Sequence, residues 1–200
     1  MPHTIPDRIV IATHNQGKLR EFQALLAPYG CALISSGQMG LAAPDETGST
    51  FAENAILKAR IAAQETGMVA LADDSGLCVS ALDGSPGIYS ARWSDNGDFY
   101  PAMERINREI GANPDRAAHF ITVLALCWPD GYHETVAGRV DGTIAPAPRG
   151  TGGHGYDPIF VPNGDTRTFA EMHDDEKNAI SHRAVAARIL VEKFFAHRKS

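Results

Sequence analysis

Residues 8–26 read RIVIATHNQGKLREFQALL: a short apolar segment, a polar turn and a longer segment. The apolar part, Arg8–Ala12, predicts a buried strand, because a strand covered on both faces is a short continuous apolar run. Lys18–Leu26 predicts a helix that ends before Gly30. A strand that leads directly into a helix is typical of α/β proteins.

Further strands and helices follow in alternation. Ala32–Ser35 and Val69–Ala72 are short and apolar, which predicts two more strands. Between them, Thr50 and Glu53 have the spacing of a capping box, and we expect their helix to end at Gly67. A polar loop over 40–49 precedes this helix. After the third strand the sequence predicts a loop over Asp83–Trp93, a helix over Tyr100–Ile110, a hairpin of Phe120–Trp128 and Tyr132–Val140, a glycine-rich loop over Pro146–Gly155 and a helix from Ser181 to about Phe195. This order predicts an α/β protein with a mixed sheet, as one domain over residues 1–200.

The composition excludes several classes of protein. The chain of 200 residues is 44% hydrophobic and 21% charged, and its net charge of -6 argues against binding to nucleic-acid polymers or anionic membranes. Its three cysteines form no CxxC pair, which favours free thiols in a reducing compartment. Met1–Pro6 contains no apolar leader, and no apolar run is long enough to span a bilayer. We therefore expect a cytoplasmic protein.

The turn after the first strand, Thr13–Lys18, is the first candidate for chemistry. A strand-to-helix turn presents backbone N–H groups to an anion, and Lys18 adds a positive charge. A Walker phosphate loop is excluded, because Ala12 replaces its first glycine and Leu19 its hydroxyl residue. An ordinary helix start with a solvated lysine remains the alternative.

Asp73 and Asp74 follow an apolar strand, where ligands of open α/β sheets gather. Adjacent residues of a strand point to opposite faces, so the two carboxylates have different roles. Mg²⁺ prefers carboxylate oxygens together with substrate phosphates, and Glu46 could supply a second ligand. The alternative is a solvated turn in which Asp74 and Ser75 cap the backbone.

Lys58 is placed on one face of its helix with Phe51, Ala55 and Ala62, at roughly 100° per residue. A lysine on such a face either extends to water or reaches towards an anion. The small alanines leave room for the second arrangement, so both remain open.

Two segments in the last third complete the set of candidates. Residues 150–158 are rich in glycine, which allows close approach of the backbone to a ligand, and His154 and Tyr156 offer flat rings for a base to stack on. Lys177 precedes Ser181-His182-Arg183, where basic residues at a helix start favour an anionic or electron-rich ligand. A flexible loop and a plain serine cap are the alternatives. No GxSxG elbow, zinc-binding histidine pair or GxGxxG motif is present.

Together these segments resemble the inosine triphosphate pyrophosphatase family, also called the noncanonical purine NTP pyrophosphatases. The resemblance spans almost the whole chain. It is carried by Ala12–Lys18, Glu46-Thr47-Gly48, Phe51 with Glu53-Asn54-Ala55, Lys58-Ala59, Asp73–Leu77, Pro86–Arg92, Gly152–Phe160, Lys177 and Ser181-His182-Arg183. Each motif is weak alone, and the ordered set is specific.

The resemblance implies a long central mixed sheet flanked by helices, with two lobes around a deep nucleotide-binding cleft, and a homodimer. It implies Mg²⁺-dependent hydrolysis of inosine, deoxyinosine and xanthosine triphosphates to a monophosphate and pyrophosphate. Mg²⁺ would be held by Glu46 and Asp74, with Asp74 as the base for the attacking water. The triphosphate would be held by Thr13, His14, Asn15, Gln16, Gly17, Lys18, Lys58 and Ser75. The base and sugar would be held by His154, Gly155, Tyr156, Asp157, Lys177, His182 and Arg183.

The residues support the same mechanism without the resemblance, because cleavage between the α and β phosphorus atoms needs charge neutralisation and an oriented water. Two departures from the family pattern are His154, where phenylalanine is usual, and His14, where glycine is common. The rivals are a non-catalytic nucleotide sensor, disfavoured by the retained acidic residues, and a pyrophosphatase for modified pyrimidine nucleotides, disfavoured by Ser181-His182-Arg183.

Overall fold

The computed structural model describes residues 3–196, apart from the side chain of Glu21. The N-terminal residues Met1 and Pro2 and residues 197–200, which belong to the predicted domain, lie outside the described residues. The strands are β1 (Arg8–Ile11), β2 (Ala32–Ser35), β3 (Ala70–Val79), β4 (Ala117–Cys127), β5 (His133–Ile144) and β6 (Phe160–Pro162). The helices are α1 (Gln16–Leu26), α2 (Phe51–Thr66), α3 (Tyr100–Ile110), α4 (Asp174–Ile180) and α5 (His182–Phe194).

The strands form one sheet of six strands in the order β2-β1-β3-β4-β5-β6. β1 pairs in parallel with β2 and with β3, whereas β5 and β6 are antiparallel. The sheet is therefore mixed, and the predicted α/β class is confirmed.

The first strand, turn and helix form as the sequence predicts. Ile9, Val10 and Ile11 of β1 are at most 1% exposed, because β1 has a parallel neighbour on each side. α1 begins two residues before the predicted start, because the side chain of Asn15 accepts hydrogen bonds at the N-terminus of the helix.

The capping box of α2 is present as predicted. The hydroxyl of Thr50 accepts from the backbone N–H of Glu53, and the carboxylate of Glu53 accepts from the backbone N–H of Thr50. The helix ends at Gly67, whose φ of 66° is left-handed and suits glycine. Ala55 and Ala62 lie on its buried face.

Within residues 3–196 the chain divides into two compact units. Unit 1 consists of residues 3–74, 123–137 and 186–196, and unit 2 of residues 75–122 and 138–185. The core of unit 1 lies around β1, α1, α2 and the last helix, and the core of unit 2 contains residues of α3 together with Phe120, Phe160 and Phe169. No helix among the described residues has both the length and the apolar character needed to cross a membrane.

The main differences from the prediction concern β3, β6 and α4. β3 does not end at Ala72 but continues to Val79, so Asp73 and Asp74 lie inside a strand. Their charges are accommodated there because lysines from α1 and α2 contact them. The short strand β6 and the helix α4 were not predicted, because neither three residues nor a polar seven-residue segment has a recognisable apolar period.

Candidate active site

The turn between β1 and α1 is closed by its own side chains. Oδ1 of Asn15 accepts from the N–H groups of Gly17 at 2.8 Å and Lys18 at 3.2 Å. The hydroxyl of Thr13 accepts from the N–H of Asn15 at 3.1 Å. These interactions shape the turn that was predicted to bind phosphate. Two backbone N–H groups of that turn, those of Gly17 and Lys18, donate to the side chain of Asn15. His14 is exposed beside this turn.

Lys18 extends from α1 to the strand that carries the acidic pair. Its Nζ donates to Oδ2 of Asp73 at 2.7 Å, and the side chain of Asp73 is 3% exposed. Asp73 therefore fixes the ammonium of Lys18, a role that sequence reasoning did not assign to it.

Asp74 points to a second lysine. Nζ of Lys58 donates to Oδ1 of Asp74 at 3.2 Å and to Oε1 of Glu46 at 2.6 Å. The lysine side chain is 13% exposed, so its ammonium does not extend into water. The structure thus brings together Glu46, Lys58 and Asp74, all predicted for the site, and gives Asp73 and Asp74 the different partners expected of neighbouring strand residues.

Burial and the neighbouring charges shift the pKa values of two members of this cluster. Burial raises the pKa of Asp74, and the negative charge of Glu46 adds to that effect, although the ammonium of Lys58 and a hydrogen bond from Asn54 oppose it. For Lys58, burial would lower the pKa, but Asp74, Glu46 and Asp73 outweigh it, and its pKa is raised. The cluster thus contains a buried carboxyl with a raised proton affinity beside a lysine that holds its charge.

The oxygen atoms of Glu46 and Asp74 converge on the same ammonium, so these carboxylates can face one cation. Both are hard oxygen donors, the kind that Mg²⁺ prefers. Within residues 3–196 no three or more histidine, cysteine, aspartate and glutamate side chains form a group able to hold a metal on their own. The protein ligands of a metal bound here would be these two carboxylates, and water or oxygen atoms of a substrate would complete its coordination.

Sequence reasoning named Asn54 among the motif residues but gave it no role in the site, although it contacts this cluster. Its side chain is fully buried and donates to Oδ2 of Asp74 at 3.2 Å. A signal was available in the sequence, because Asn54 precedes Lys58 by one helical turn and therefore shares its face of α2.

The remaining predicted residues belong to unit 2. Ser75 lies 2.7 Å from Thr122, hydroxyl to hydroxyl. The glycine-rich loop is tied down by Asp157, which is 3% exposed and accepts from the backbone N–H of His154 at 2.6 Å and from Nζ of Lys177 at 2.5 Å. At Gly153, where φ is 73°, an added Cβ would lie 2.3 Å from the Asp157 carboxylate. The loop is therefore held in place, and the alternative of a flexible surface loop is not supported.

A pocket of about 230 Å³ lies within unit 2. It is lined by residues 150–155 of the glycine-rich loop and Pro158 on one side and by residues 97–100 and Met103 on the other. His154 is exposed there, and its ring contacts the edge of Phe99 with the centroids 5.5 Å apart. Its volume is smaller than the about 300–1,000 Å³ that is common for ligand pockets.

The prediction that the ring of Tyr156 offers a face for stacking is wrong. Tyr156 is 2% exposed, and its hydroxyl donates to the backbone oxygen of Ser90 at 2.8 Å. The ring packs against Phe99 in the core of unit 2, because the chain turns inward immediately after Gly155. Burial also raises the pKa of this phenol.

The start of α5 is capped as predicted. The hydroxyl of Ser181 accepts from the N–H of Ala184 at 3.2 Å. His182 is 6% exposed, and its ring stacks on Phe120 with the centroids 4.9 Å apart. Arg183 is half-buried. Lys177 lies on α4 and is fixed by Asp157, so it is a member of the loop's own network.

Known proteins share this arrangement of elements and motifs. The sequence model of the Ham1 family matches residues 9–193. This chain belongs to the Ham1 family. The family resemblance predicted from the ordered motifs is thereby confirmed.

Among the relatives of this Ham1 protein, a dITP/XTP pyrophosphatase of Gluconobacter oxydans (strain 621H) is 56% identical over 180 residues, which cover 90% of this chain and 86% of the relative. A dITP/XTP pyrophosphatase of Zymomonas mobilis subsp. mobilis is 51% identical over 93% of this chain and 91% of its own. A HAM1 protein structure from Coxiella burnetii has a TM-score of 0.88 and 40% identity, with 93% of this chain and 97% of that chain covered. The match therefore extends along nearly the full length in each case.

Proposed function

We propose that this chain is a Mg²⁺-dependent pyrophosphatase of noncanonical purine nucleoside triphosphates. It would hydrolyse inosine, deoxyinosine and xanthosine triphosphates to the monophosphate and pyrophosphate, and so clear them from the nucleotide pool. The observation that carries the proposal is the Glu46–Lys58–Asp74 cluster, with Asp74 buried, in a member of the Ham1 family, whose relatives are named dITP/XTP pyrophosphatases.

The metal and the triphosphate are assigned to residues described above. Glu46 and Asp74 would hold Mg²⁺, and their oxygen chemistry fits it. When bound, Mg²⁺ supplies neutralisation of phosphate charge. The triphosphate itself is assigned to Thr13, His14, Asn15, Gln16, Gly17, Lys18 and Lys58, and to Ser75 in unit 2. Lys18 and Lys58 offer the positive charge, and the α1 N-terminus favours an anion.

Asp74 is the proposed general base. Its raised pKa makes it a better proton acceptor than an ordinary aspartate, while the charge of Lys58 beside it limits the rise in pKa. Oδ1 and Oδ2 are held by different donors, so the carboxylate has one orientation. It would orient a water for attack on the α phosphorus and accept the proton that the water loses.

The base and sugar are assigned to unit 2. His154 and Gly155 line its pocket, and Tyr156 and Asp157 hold that loop in place from beneath. Lys177, His182 and Arg183 complete the assignment, with His182 and Arg183 as donors to the keto oxygen that hypoxanthine and xanthine carry. We also propose that the protein acts in the cytoplasm as a homodimer on free nucleotides, without a nucleic-acid polymer or a membrane as partner.

The decisive experiment is product analysis on a panel of nucleotides. The chain is incubated with Mg²⁺ and inosine, deoxyinosine, xanthosine, adenosine and guanosine triphosphates, and with modified pyrimidine nucleotides. We expect monophosphate and pyrophosphate from the first three, and little product from the others. Orthophosphate as the main product would contradict the proposed reaction, and binding without hydrolysis would favour a nucleotide sensor. Preferential cleavage of the pyrimidine nucleotides would favour the other enzyme class.

A further inference from the structure

Asn54 lies near the start of α2 and has no exposed surface. Its Oδ1 accepts from the backbone N–H of Gly48 at 2.8 Å, and its Nδ2 donates to Oδ2 of Asp74 at 3.2 Å. One side-chain amide thus joins the loop that carries Glu46 to the strand that carries Asp74.

The chemistry of this position requires an amide of this length. Aspartate has no donor to offer and would place an oxygen against the carboxylate of Asp74. An aliphatic side chain would remove one hydrogen bond from a buried carboxylate and another from the N–H of Gly48, and losing a buried partner is costly. The asparagine is therefore matched to both of its neighbours.

The contact between Gly48 and Asn54 also depends on the absence of a side chain at Gly48. A Cβ added at Gly48 would lie 2.7 Å from Oδ1 of Asn54 and 3.0 Å from the backbone nitrogen of the same residue. The first distance is too short for a real Cβ contact, and the second is at the lower limit. Glycine therefore allows the loop to approach the helix this closely.

These contacts close a ring around the two carboxylates. Asn54 and Lys58 are four residues apart on α2 and project from the same face. Asn54 binds one oxygen of Asp74 and Lys58 the other, while Asn54 also holds Gly48 and Lys58 also holds Glu46. The loop from Glu46 to Gly48 is therefore tied at both ends to the two helix residues that hold Asp74.

We propose that Asn54 is a positioning residue of the pyrophosphatase reaction, which sets the spacing between the carboxylates of Glu46 and Asp74. This inference rests on the proposed function, in which those carboxylates hold the metal and Asp74 acts as base. Partners that orient metal-binding side chains typically affect metal affinity or activity by about 10–100-fold.

The test compares Asn54→Ala, the isosteric Asn54→Asp and Gly48→Ala with the wild type. Turnover of deoxyinosine triphosphate gives kcat and KM at saturating Mg²⁺, and Mn²⁺ binding to the protein without nucleotide is followed by electron paramagnetic resonance. We expect each variant to lose about 10–100-fold in kcat, to weaken Mn²⁺ binding, and to keep KM within about threefold.

Thr50→Ala is the matched control, because it removes the cap of the same helix without touching Asp74. It should lower the melting temperature and leave kcat and Mn²⁺ binding unchanged. If Thr50→Ala reduced kcat as much as the Asn54 variants, or if Asn54→Ala kept wild-type kcat and Mn²⁺ affinity, the positioning role would be refuted. Should Asn54→Ala not fold, Asn54→Asp and Gly48→Ala decide the question. A wild type that releases no pyrophosphate refutes the proposed function instead, and the Mn²⁺ titration still decides the role of Asn54.

Discussion

Nζ of Lys58 lies 3.2 Å from Oδ1 of Asp74, and the two side chains are only 13% and 9% exposed. The sequence left open whether Lys58 extends to water or reaches towards an anion, and this contact shows the second arrangement. The ammonium does not extend to solvent, because it is held by Asp74 and by Glu46. Lys58 therefore supports the fold as well as the proposed chemistry.

Lys58→Met should destabilise the protein as well as inactivate it. The substitution leaves two carboxylates close together without their shared cation, and breaking a buried ion pair costs about 3 kcal/mol or more. The melting temperature and the rate of pyrophosphate release should both fall. Lys193→Met is the control, because its pair with Glu134 is exposed and worth at most about 1 kcal/mol. Equal melting temperatures for the two variants would contradict this role.

The loss of stability caused by Lys58→Met should become smaller as the pH falls. The pKa of Asp74 is raised above its ordinary value of 3.8, so the folded protein binds this proton more tightly than the unfolded chain does. Stability from this group is therefore lost as the pH rises from 3.8 through the folded pKa. Without Lys58 the pKa of Asp74 rises further. Protonation of Asp74 in acid removes the charge that has lost its partner, so the stability difference between Lys58→Met and wild type should shrink. Melting curves without added metal, from neutral to acidic pH, check this, and a deficit that grows in acid would contradict it.

Asp74→Asn should remove most of the turnover and keep the fold. The substitution preserves shape but removes the proton acceptor and a proposed metal ligand, and loss of a general base alone costs about 10²–10⁴-fold. Pyrophosphate release and a melting curve measure the two effects. Asp141→Asn changes an exposed carboxylate paired with Arg139 and should keep wild-type turnover. Near-normal kcat in a folded Asp74→Asn protein would remove Asp74 from the mechanism.

Local signals predicted the elements that depend on local interactions. α2 begins at the capping box of Thr50 and Glu53 and ends at Gly67, which has a left-handed backbone. Both signals can be identified without a tertiary structure. The helix Tyr100–Ile110 was predicted to the residue. The hairpin was found from its turn, although β4 and β5 are longer than predicted.

What depends on distant partners could not be predicted in the same way. Asp73 and Asp74 resemble the start of a turn, and contacts with Lys18 and Lys58, 55 and 16 residues away, help to make them compatible with a strand. The burial of Tyr156 likewise follows from Ser90, 66 residues away. Candidate site residues could be named from motif order, but the contacts between them could not.

His154 should contribute to base binding by stacking. Its ring is exposed in the pocket of unit 2 and meets Phe99 edge-on, and base–aromatic stacking is worth about 1–3 kcal/mol by alanine substitution. His154→Ala should raise KM with little change in kcat, and His154→Phe should restore or lower KM. His133→Ala, at an exposed histidine of β5, is the control. If His154→Phe binds more weakly than His154→Ala, the imidazole acts by hydrogen bonding.

Arg183→Ala should reduce selectivity as well as turnover. Hypoxanthine and xanthine carry a keto oxygen where adenine has an amino group, and arginine is always a donor. A site that donates to the keto oxygen leaves its donors unpaired when adenine enters, and such sites reject analogues by about 10⁴–10⁵-fold. We therefore expect wild type to prefer inosine and xanthosine triphosphates strongly over ATP. His182, stacked on Phe120 at the start of the same helix, is the second proposed donor to that oxygen.

The measurement is kcat/KM for inosine, xanthosine, adenosine and guanosine triphosphates, with wild type, Arg183→Ala and the control Arg188→Ala. Arg183→Ala should lower the values for the two preferred substrates and narrow their lead over ATP. Guanine shares the keto oxygen, so its exclusion must come from its additional amino group, and discrimination against GTP should survive the substitution better. Arg188 is exposed on α5, and Arg188→Ala should keep the wild-type order. Comparable wild-type values for ATP and inosine triphosphate would overturn the proposed removal of noncanonical nucleotides, because an enzyme that consumes ATP equally well cannot select them from the pool.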